Sequence, residues 1–302
     1  MKAITYTTFG GPEVLSLTEV EKPHAGPGQV RLKVVAAAVN PLDDKIRKGW
    51  MPPQMTPPFP VIPGLEAAGI VDEVGEGVTG VAVGDSVLGW TVTGAYAEFA
   101  LASEFALKPA DLDWDTAAAL PVAVETSVRV LDELKVGKGE TLLIHGASGV
   151  VGAVGVQLAV ARGATVIGTA SPANHDYVRS LGATPVAHGE GLADRIRAAA
   201  PQGVDAVYDA AGHGDLPLSI ELRGGTDRII TIADPQAAEL GVTFSGGGAP
   251  FGSRLAEYAH LAVDGKLVVR VAQSLPLADA AQAQELVATG HAPGKVVLRP
   301  AG

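Results

Sequence analysis

The chain has 302 residues, more than a single hydrophobic core usually serves, so two domains are expected. With 47% hydrophobic and 18% charged residues, it has the composition of a folded globular protein and not of a disordered one. The formal net charge of -11 argues against the basic face that nucleic-acid binding requires, so we expect no nucleic-acid partner.

Cysteine and histidine usage restricts the possible chemistry. The chain contains no cysteine, which excludes disulfides, thiolate nucleophiles and cysteine-ligated zinc. Its seven histidines lack the paired spacing of a metal-binding helix, so no metal site is expected. No apolar run is long enough to span a bilayer, and the first residues do not follow a signal-peptide pattern. We therefore expect a cytoplasmic protein without membrane contact.

The first third of the chain predicts a small β-rich barrel domain. Short β-like runs punctuated by Gly and Pro extend from Ile4 to about Leu107. The predicted strands cover residues 30–35, 67–74, 85–88 and 96–100. The proline-rich residues 51–63 predict a surface loop, because proline suits neither a helix interior nor a central strand.

The middle of the chain predicts a different domain, an α/β fold with a doubly wound parallel sheet. A long alanine-rich helix over residues 115–131, with Asp113 or Asp115 as its cap, marks the change. Strands and helices then alternate, which is typical of a parallel sheet. The predicted strands are 142–144, 165–168, 185–187, 205–209 and 228–232, and two predicted helices are 174–181 and 192–200. The final segment predicts helices over 253–263 and 278–288 and strands over 267–271 and 295–298, which periodicity assigns to neither domain.

A glycine-containing turn in residues 141–152 is the strongest local signal. The hydrophobic pattern changes there from a buried strand to a helix, and Ala147, Gly149 and Gly152 follow the spacing of a dinucleotide-binding fingerprint. Ala147 stands where the first glycine is usual. Such a turn lets the backbone approach a pyrophosphate at a helix N-terminus, although similar turns also occur in α/β proteins that bind no nucleotide.

Several segments in order resemble the medium-chain dehydrogenase/reductase superfamily, specifically its zinc-independent, quinone oxidoreductase-like branch. They are residues 37–47, 60–69, 83–87, 117–121 leading into Thr126, the glycine turn, and 294–298. The resemblance implies a GroES-like β-rich catalytic domain (residues 1–113), a Rossmann cofactor-binding domain (114–249) and a C-terminal segment (250–302) that returns to the first domain. It also implies a cofactor in the cleft between them, and a homodimer.

Two departures from the zinc-dependent relatives shape the expected reaction. Those relatives carry Gly-His-Glu and a cysteine ligand, whereas this chain has Gly64-Leu65-Glu66 and no cysteine. Without a Lewis acid to polarise a carbonyl, alcohol oxidation is less plausible. Reduction of a quinone or of a conjugated C=C bond needs only a hydride and a later proton, so we expect no zinc and one of these reductions.

The end of the second Rossmann strand predicts the cofactor. A carboxylate there would bind the ribose hydroxyls of NADH and repel the 2′-phosphate of NADPH. Residues 168–171 contain no acid, and Ser171, Asn174 and His175 follow, which favours NADPH. No Lys or Arg lies between Gly163 and Tyr177, so modest affinity is expected. Asp176 is interpreted as a helix-capping acid and not as a ribose ligand.

The resemblance also implies the site residues. The cofactor-binding set is Asn40, Thr126, Ser148, Gly149, Val150, Val151, Gly152, Ser171, Asn174, His175, Ala211, Gly212, Ile232, Ala233, Phe244 and Ser245. The catalytic set is Asn40, Asp43 and Lys45. Lys45 could orient a carbonyl or donate a proton, or it could be a solvated charge. Asp43 could act in catalysis or pair with Arg47, while His145 is expected to be a packed, hydrogen-bonded histidine.

Three functions remain open from the sequence. The first is NADPH-dependent reduction of a small-molecule quinone or α,β-unsaturated carbonyl compound by hydride transfer. The second is an enoyl reductase acting on a biosynthetic, polyketide-like intermediate, which a wide cleft around residues 50–59 would favour. The third is a non-catalytic NADPH-binding protein with a structural or regulatory role.

Overall fold

The computed structural model describes residues 1–52, 57–247, 250–290 and 292–300. Its strands are β1 (Lys2–Thr5), β2 (Ser16–Glu19), β3 (Val30–Val39), β4 (Glu66–Val74), β5 (Ser86–Thr91), β6 (Phe99–Leu107), β7 (Thr141–His145), β8 (Thr165–Ala170), β9 (Thr184–Ala187), β10 (Ala206–Asp209), β11 (Ile229–Thr231), β12 (Thr243–Phe244), β13 (Val271–Pro276) and β14 (Lys295–Arg299). Its α-helices are α1 (Pro41–Arg47), α2 (Trp114–Glu133), α3 (Val150–Ala161), α4 (His175–Ser180), α5 (Leu192–Ala199), α6 (Leu216–Arg223), α7 (Ala237–Leu240), α8 (Gly252–Val263) and α9 (Ala280–Ala288). No helix of the described residues combines the length and apolar character needed to cross a membrane.

The chain forms two compact units. Unit 1 contains Met1–Val122 and Pro250–Gly302, and unit 2 contains Ala123–Ala249. The division therefore falls inside α2, whereas the expected boundary at residues 113 and 114 lies at its start. A helix continues unbroken from one unit into the next, so sequence pattern marks where the helix begins but not where its contacts change.

Unit 1 is built on a six-stranded sheet in the order β13-β14-β3-β4-β5-β6, and a further pairing of β3 with β6 closes it into a barrel. The long strand β3 is buried along most of its length because it pairs with β14, β4 and β6. Ala37 and Val39 of β3 share a core with Val296 and Leu298 of β14. The C-terminal segment is thus part of the same hydrophobic core as the first strands.

Unit 2 is built on a six-stranded parallel sheet in the order β12-β11-β10-β7-β8-β9. All five residues of the central strand β7 are buried, as expected for a strand covered on both faces. Helix α3 packs closely on the sheet because Gly155 has no side chain. A Cβ there would lie 3.0 Å from the ring of Tyr208.

Two sequence-based expectations about the strands of unit 1 need correction, and the choice between two helix caps is decided. The predicted strand over 267–271 is wrong, because β13 begins at Val271. Leu267 and Val269 are buried by packing of the segment after α8 and not by pairing in a sheet. The strand predicted over 96–100 begins only at Phe99 and continues to Leu107. Asp113 caps α2 by accepting the Thr116 N–H at 2.9 Å, whereas Asp115 bonds Ser274.

The proline-rich loop predicted over 51–63 is only partly visible. Residues 53–56 lie outside the described residues. The described remainder contains no helix and no strand, and Val61 exchanges backbone hydrogen bonds with Tyr6.

Candidate functional site

The glycine turn of unit 2 joins β7 to α3 and rests against the end of β8. Gly146 adopts a positive φ of 76°, which favours glycine, and its N–H donates to Thr169 Oγ1 at 3.0 Å. The Ala147 N–H donates to the Thr169 carbonyl at 3.0 Å. A Cβ on Gly168 would lie 2.5 Å from the Ala147 methyl, so the glycine on β8 provides the space that lets alanine stand at the first fingerprint position.

The start of α3 offers an open binding surface for an anion. Its N-cap is Gly149, and no side chain caps the first turn. A Cβ on Gly152 would overlap the Gly146 carbonyl oxygen, so only glycine fits there. The first backbone N–H groups of a helix have no partner within the helix, and they are directed outward at its positive end. These features fit a pyrophosphate held at residues 148–152.

The end of β8 presents polar and uncharged groups. Asn174 Nδ2 donates to Ser171 Oγ at 3.1 Å, and the Asn174 N–H donates to the Ser171 carbonyl at 2.9 Å. His175 is half-buried, and its Nε2 has no hydrogen-bond partner among the described residues. Asp176 lies in the first turn of α4 with a fully exposed side chain and pairs with Arg179 at 2.6 Å. Ser171 directly follows β8 and is bonded to Asn174, so these two side chains are the polar groups that follow the end of the strand.

Asp209, which the sequence reading missed, organises the loops after β10 and β11. One carboxylate oxygen accepts the N–H groups of Ala211 and Gly212, each at 3.0 Å, and the other accepts the Thr231 hydroxyl at 2.7 Å. Thr231 Oγ1 in turn accepts the Ala233 N–H at 3.1 Å. Residues 211 and 212 therefore bond the Asp209 carboxylate directly, whereas Ile232 bonds the Asp209 main-chain carbonyl and Ala233 is linked to the carboxylate through Thr231.

The remaining expected residues of unit 2 are largely engaged with their own neighbours. Thr126 is 9% exposed and its hydroxyl lies 3.4 Å from Glu125. Ser245 is also buried, and its hydroxyl contacts Arg129 and donates to Glu133 at 3.1 Å. Phe244 is 49% exposed. Ser245 therefore has a structural network that its sequence context did not reveal.

His145 is a packed histidine, as expected. It is fully buried, and its Nε2 lies 3.0 Å from the hydroxyl of Ser219. Burial lowers the pKa of His145, although the charges of Asp215 and Asp209 oppose that effect. The imidazole is therefore neutral at pH 7 and supports the sheet.

A buried polar cluster in unit 1 surrounds Asn40. The amide Nδ2 donates to Glu66 Oε1 at 2.9 Å, and the amide Oδ1 accepts from Lys295 Nζ at 2.6 Å. Lys295 and Glu66 form an ion pair at 2.7 Å, with both side chains at most 3% exposed. The second Glu66 oxygen accepts the Val122 N–H at 2.7 Å, next to Pro121 inside α2. An ammonium can only donate and a carboxylate can only accept, so this cluster permits one orientation of the Asn40 amide.

Asp43 extends this cluster. Its Oδ2 accepts the Asn40 N–H at 2.9 Å and the Tyr96 hydroxyl at 2.9 Å, while its Oδ1 is buried without a partner among the described residues. Burial raises the pKa of Asp43 to about 7, against the opposing effects of these hydrogen bonds and of Lys295. The carboxyl group can therefore hold a proton near neutral pH.

Of the two alternatives for Asp43, the ion pair with Arg47 is not formed. Arg47 instead pairs with Asp44, and its Nε donates to Gln284 at 2.6 Å. Residues 43 and 44 are adjacent on α1, so they point in different directions, and Arg47 at i+3 reaches Asp44. Lys45 is half-buried, and none of the described side-chain hydrogen bonds or ion pairs involves its ammonium.

Among the described residues, no group of three or more His, Asp or Glu side chains is arranged to hold a metal ion. The cluster around Asn40 in unit 1 and the cluster around Asp209 in unit 2 are instead held by hydrogen bonds and ion pairs within the protein, although Asp43 Oδ1 has no partner among the described residues.

The two units combine a GroES-like barrel with a parallel Rossmann-type sheet. Comparison with known proteins shows that the chain belongs to the quinone oxidoreductase-like family of medium-chain dehydrogenases/reductases. Residues 26–111 match the alcohol dehydrogenase GroES-like domain, and residues 181–298 match a domain described as zinc-binding dehydrogenase. The expected family and fold class, a GroES-like domain and a Rossmann domain, are thereby confirmed.

Individual relatives extend over the whole chain. A quinone oxidoreductase of Lama guanicoe is 34% identical, covering 99% of this chain and 97% of the relative. An NADPH-dependent alkenal/one oxidoreductase of Arabidopsis thaliana is 34% identical over 99% of this chain and 80% of the relative. The crystal structure of an Escherichia coli quinone oxidoreductase in complex with NADPH superposes with a TM-score of 0.88 at 26% identity, covering 99% of this chain and all of that one.

Proposed function

We propose that this protein is an NADPH-dependent oxidoreductase that reduces a quinone or an α,β-unsaturated carbonyl compound by hydride transfer. The glycine turn carries the proposal, because a Cβ at Gly152 would overlap the Gly146 carbonyl oxygen and no side chain caps the start of α3. The names of the relatives support the substrate class, since they include quinone and alkenal/one oxidoreductases.

The residues of unit 2 fit NADPH. The backbone of residues 148–152 would hold the pyrophosphate, because uncapped N–H groups at a helix start favour anions. Ser171 and Asn174 would face the adenosine ribose, and no carboxylate between Thr169 and His175 would repel a 2′-phosphate. Asp209 fixes the two loops that would line the nicotinamide half. NADPH, when bound, supplies the hydride.

The residues of unit 1 would orient the substrate and manage its proton. Asn40 is held in one orientation by Glu66 and Lys295, so its remaining amide proton has a defined direction. A fixed donor stabilises a developing oxyanion without reorganisation. Lys45 is the candidate proton donor, since no ion pair of the described residues holds its ammonium, and Asp43 sets the position of Asn40 through the Asn40 N–H.

The proposed reaction uses no metal. Gly64-Leu65-Glu66 lacks the histidine of the zinc-dependent relatives, and the Glu66 carboxylate already binds Lys295, Asn40 and the Val122 N–H. Those contacts use about three of the four lone-pair positions of the carboxylate, and Lys295 already supplies the positive charge beside it.

The test is consumption of NADPH and of NADH with a benzoquinone, a naphthoquinone and a simple enone. We expect turnover with NADPH and a lower kcat/KM with NADH. Equal turnover with both cofactors would refute the NADPH preference. Tight NADPH binding without turnover of any acceptor would refute the proposed reaction and support the binding-protein alternative.

The role of Lys45 has a matched control in Lys48, the C-cap residue directly after α1. Lys45→Met should lower kcat, whereas Lys48→Met should not, because Lys48 is already paired with Asp44 at 2.7 Å. Unchanged turnover in Lys45→Met would remove Lys45 from the mechanism and leave water as the proton source.

We also propose a homodimer, following the family resemblance. Light scattering of the purified protein should give a mass of about two chains, and a monomer mass would refute this.

A further inference from the structure

NADPH differs from NADH by a 2′-phosphate, and the residues after β8 supply no positive charge for it. No Lys or Arg lies between Gly163 and Tyr177. The next cation along the chain, Arg179, is paired with Asp176 at 2.6 Å. Hydroxyl and amide groups alone give little affinity for a dianion in water, so a preference for NADPH needs a cation from another part of unit 2.

Arg195 in the first turn of α5 is such a cation. Its Nε donates to the Ala187 carbonyl at 2.8 Å, and its Nη1 donates to the Glu190 carbonyl at 2.8 Å. Its Nη2 donates to the carbonyls of His188 and Gly189 at 3.3 and 3.2 Å. Carbonyl oxygens fix the guanidinium without cancelling its charge, and none of the ion pairs among the described residues involves Arg195. One Nη1 proton remains available.

The sheet register places the residue that anchors this guanidinium beside the end of β8. Strands β8 and β9 are parallel neighbours, and Ala170 pairs directly with Ala187. Neighbouring strands lie about 4.8 Å apart, so Ser171 and His188 leave the same edge of the sheet side by side. Arg195 bonds the carbonyl of Ala187 itself, so its guanidinium is anchored at the strand end next to the one that leads into Ser171.

We propose that Arg195 is the specificity-determining cation for the 2′-phosphate of NADPH, held in place by the carbonyls of residues 187–190. This inference rests on the proposed NADPH-dependent function. Arg195 would approach the phosphate from the β9 side, and Ser171 and Asn174 would approach it from the β8 side. The sequence reading missed Arg195 because the residue lies about 25 positions beyond Ala170, in a different helix.

The experiment compares two soluble fragments of the cofactor, so it does not depend on turnover. The ligand 2′,5′-ADP carries the 2′-phosphate, and 5′-AMP lacks it. Calorimetry measures the Kd of both for the full-length protein and for Arg195→Met, Arg195→Lys and the control Arg197→Met. Arg197 lies on the same helix and loses the same charge, but it is engaged with Asp194 and Glu221.

For Arg195→Met we expect the affinity for 2′,5′-ADP to fall about 10- to 100-fold, as for loss of a charge-assisted hydrogen bond. The Kd of 5′-AMP should change less than about twofold. The affinity of Arg195→Lys for 2′,5′-ADP should lie between those of the wild type and of Arg195→Met, because an ammonium keeps the charge but not the carbonyl contacts. Arg197→Met should match the wild type.

Three results would overturn the inference. Equal weakening of both ligands in Arg195→Met would mean that Arg195 only supports the loop. An unchanged preference for 2′,5′-ADP in that variant would refute Arg195 while leaving the NADPH preference intact. A wild-type protein that binds both ligands equally, or neither, would refute the proposed cofactor and the inference with it.

Discussion

Substituting Asp43 by Asn should remove a pH-dependent loss of stability. Burial raises the pKa of Asp43 to about 7, and the charge of Glu66 acts in the same direction. Its ordinary value is 3.8, which applies in the unfolded chain. Between these values the unfolded chain has released this proton and the folded protein still holds it. Since the folded state then binds more protons, the free energy of unfolding falls as the pH rises through this interval.

The size of the effect follows from the shift. Each pKa unit corresponds to about 1.4 kcal/mol, so moving from 3.8 to about 7 corresponds to about 4 kcal/mol lost by the wild type across the interval. The Asn side chain keeps an acceptor for the Asn40 N–H and the Tyr96 hydroxyl but does not ionise. The stability of wild type minus that of Asp43→Asn should therefore fall by about 4 kcal/mol from pH 4 to pH 8.

Urea unfolding followed by tryptophan fluorescence measures this difference. The signal reports on unit 1, which contains Asp43 and all three tryptophans, Trp50, Trp90 and Trp114. Asp72→Asn is a control of opposite sign. Burial raises the pKa of Asp72, but hydrogen bonds from Arg31 and Lys22 outweigh this and lower it. A difference between wild type and Asp43→Asn that does not change from pH 4 to pH 8 would refute the reasoning.

Two further predictions concern packing and charge. Gly152→Ala should cost about 1–3 kcal/mol, because the new Cβ overlaps the Gly146 carbonyl oxygen, whereas Gly137→Ala has a nearest neighbour at 3.9 Å and should be close to neutral. Both glycines lie in unit 2, which contains no tryptophan, so urea unfolding of these two variants is followed by far-UV circular dichroism. Lys295→Met and Glu66→Gln should each lower the free energy of unfolding by about 3–5 kcal/mol, because each leaves a buried charge without its partner. The double variant should lose clearly less than the sum of the two. Additive effects would show that the two side chains do not interact.

Much of the fold follows from local pattern. The change of period at the glycine turn and the alternation of strands and helices located β7, α3 and the parallel sheet of unit 2. The strand predicted over 267–271 was wrong because apolar alternation also arises in an irregular segment packed on a core. The helix α1 was not predicted, because a seven-residue helix has too few turns to show periodicity.

The sequence by itself determined the two fold classes, the glycine turn and the lack of an acid after β8, because each depends on residues close together in the chain. The tertiary structure alone decided which distant groups meet. Lys295 reaches Asn40 across 255 positions, Asp209 joins two loops through Thr231, and Arg195 bonds Ala187, the β9 residue that pairs with the last residue of β8. Hydrophobic periodicity records which face of an element is buried, but the partners of buried polar groups are set by strand order and register, which no local pattern encodes.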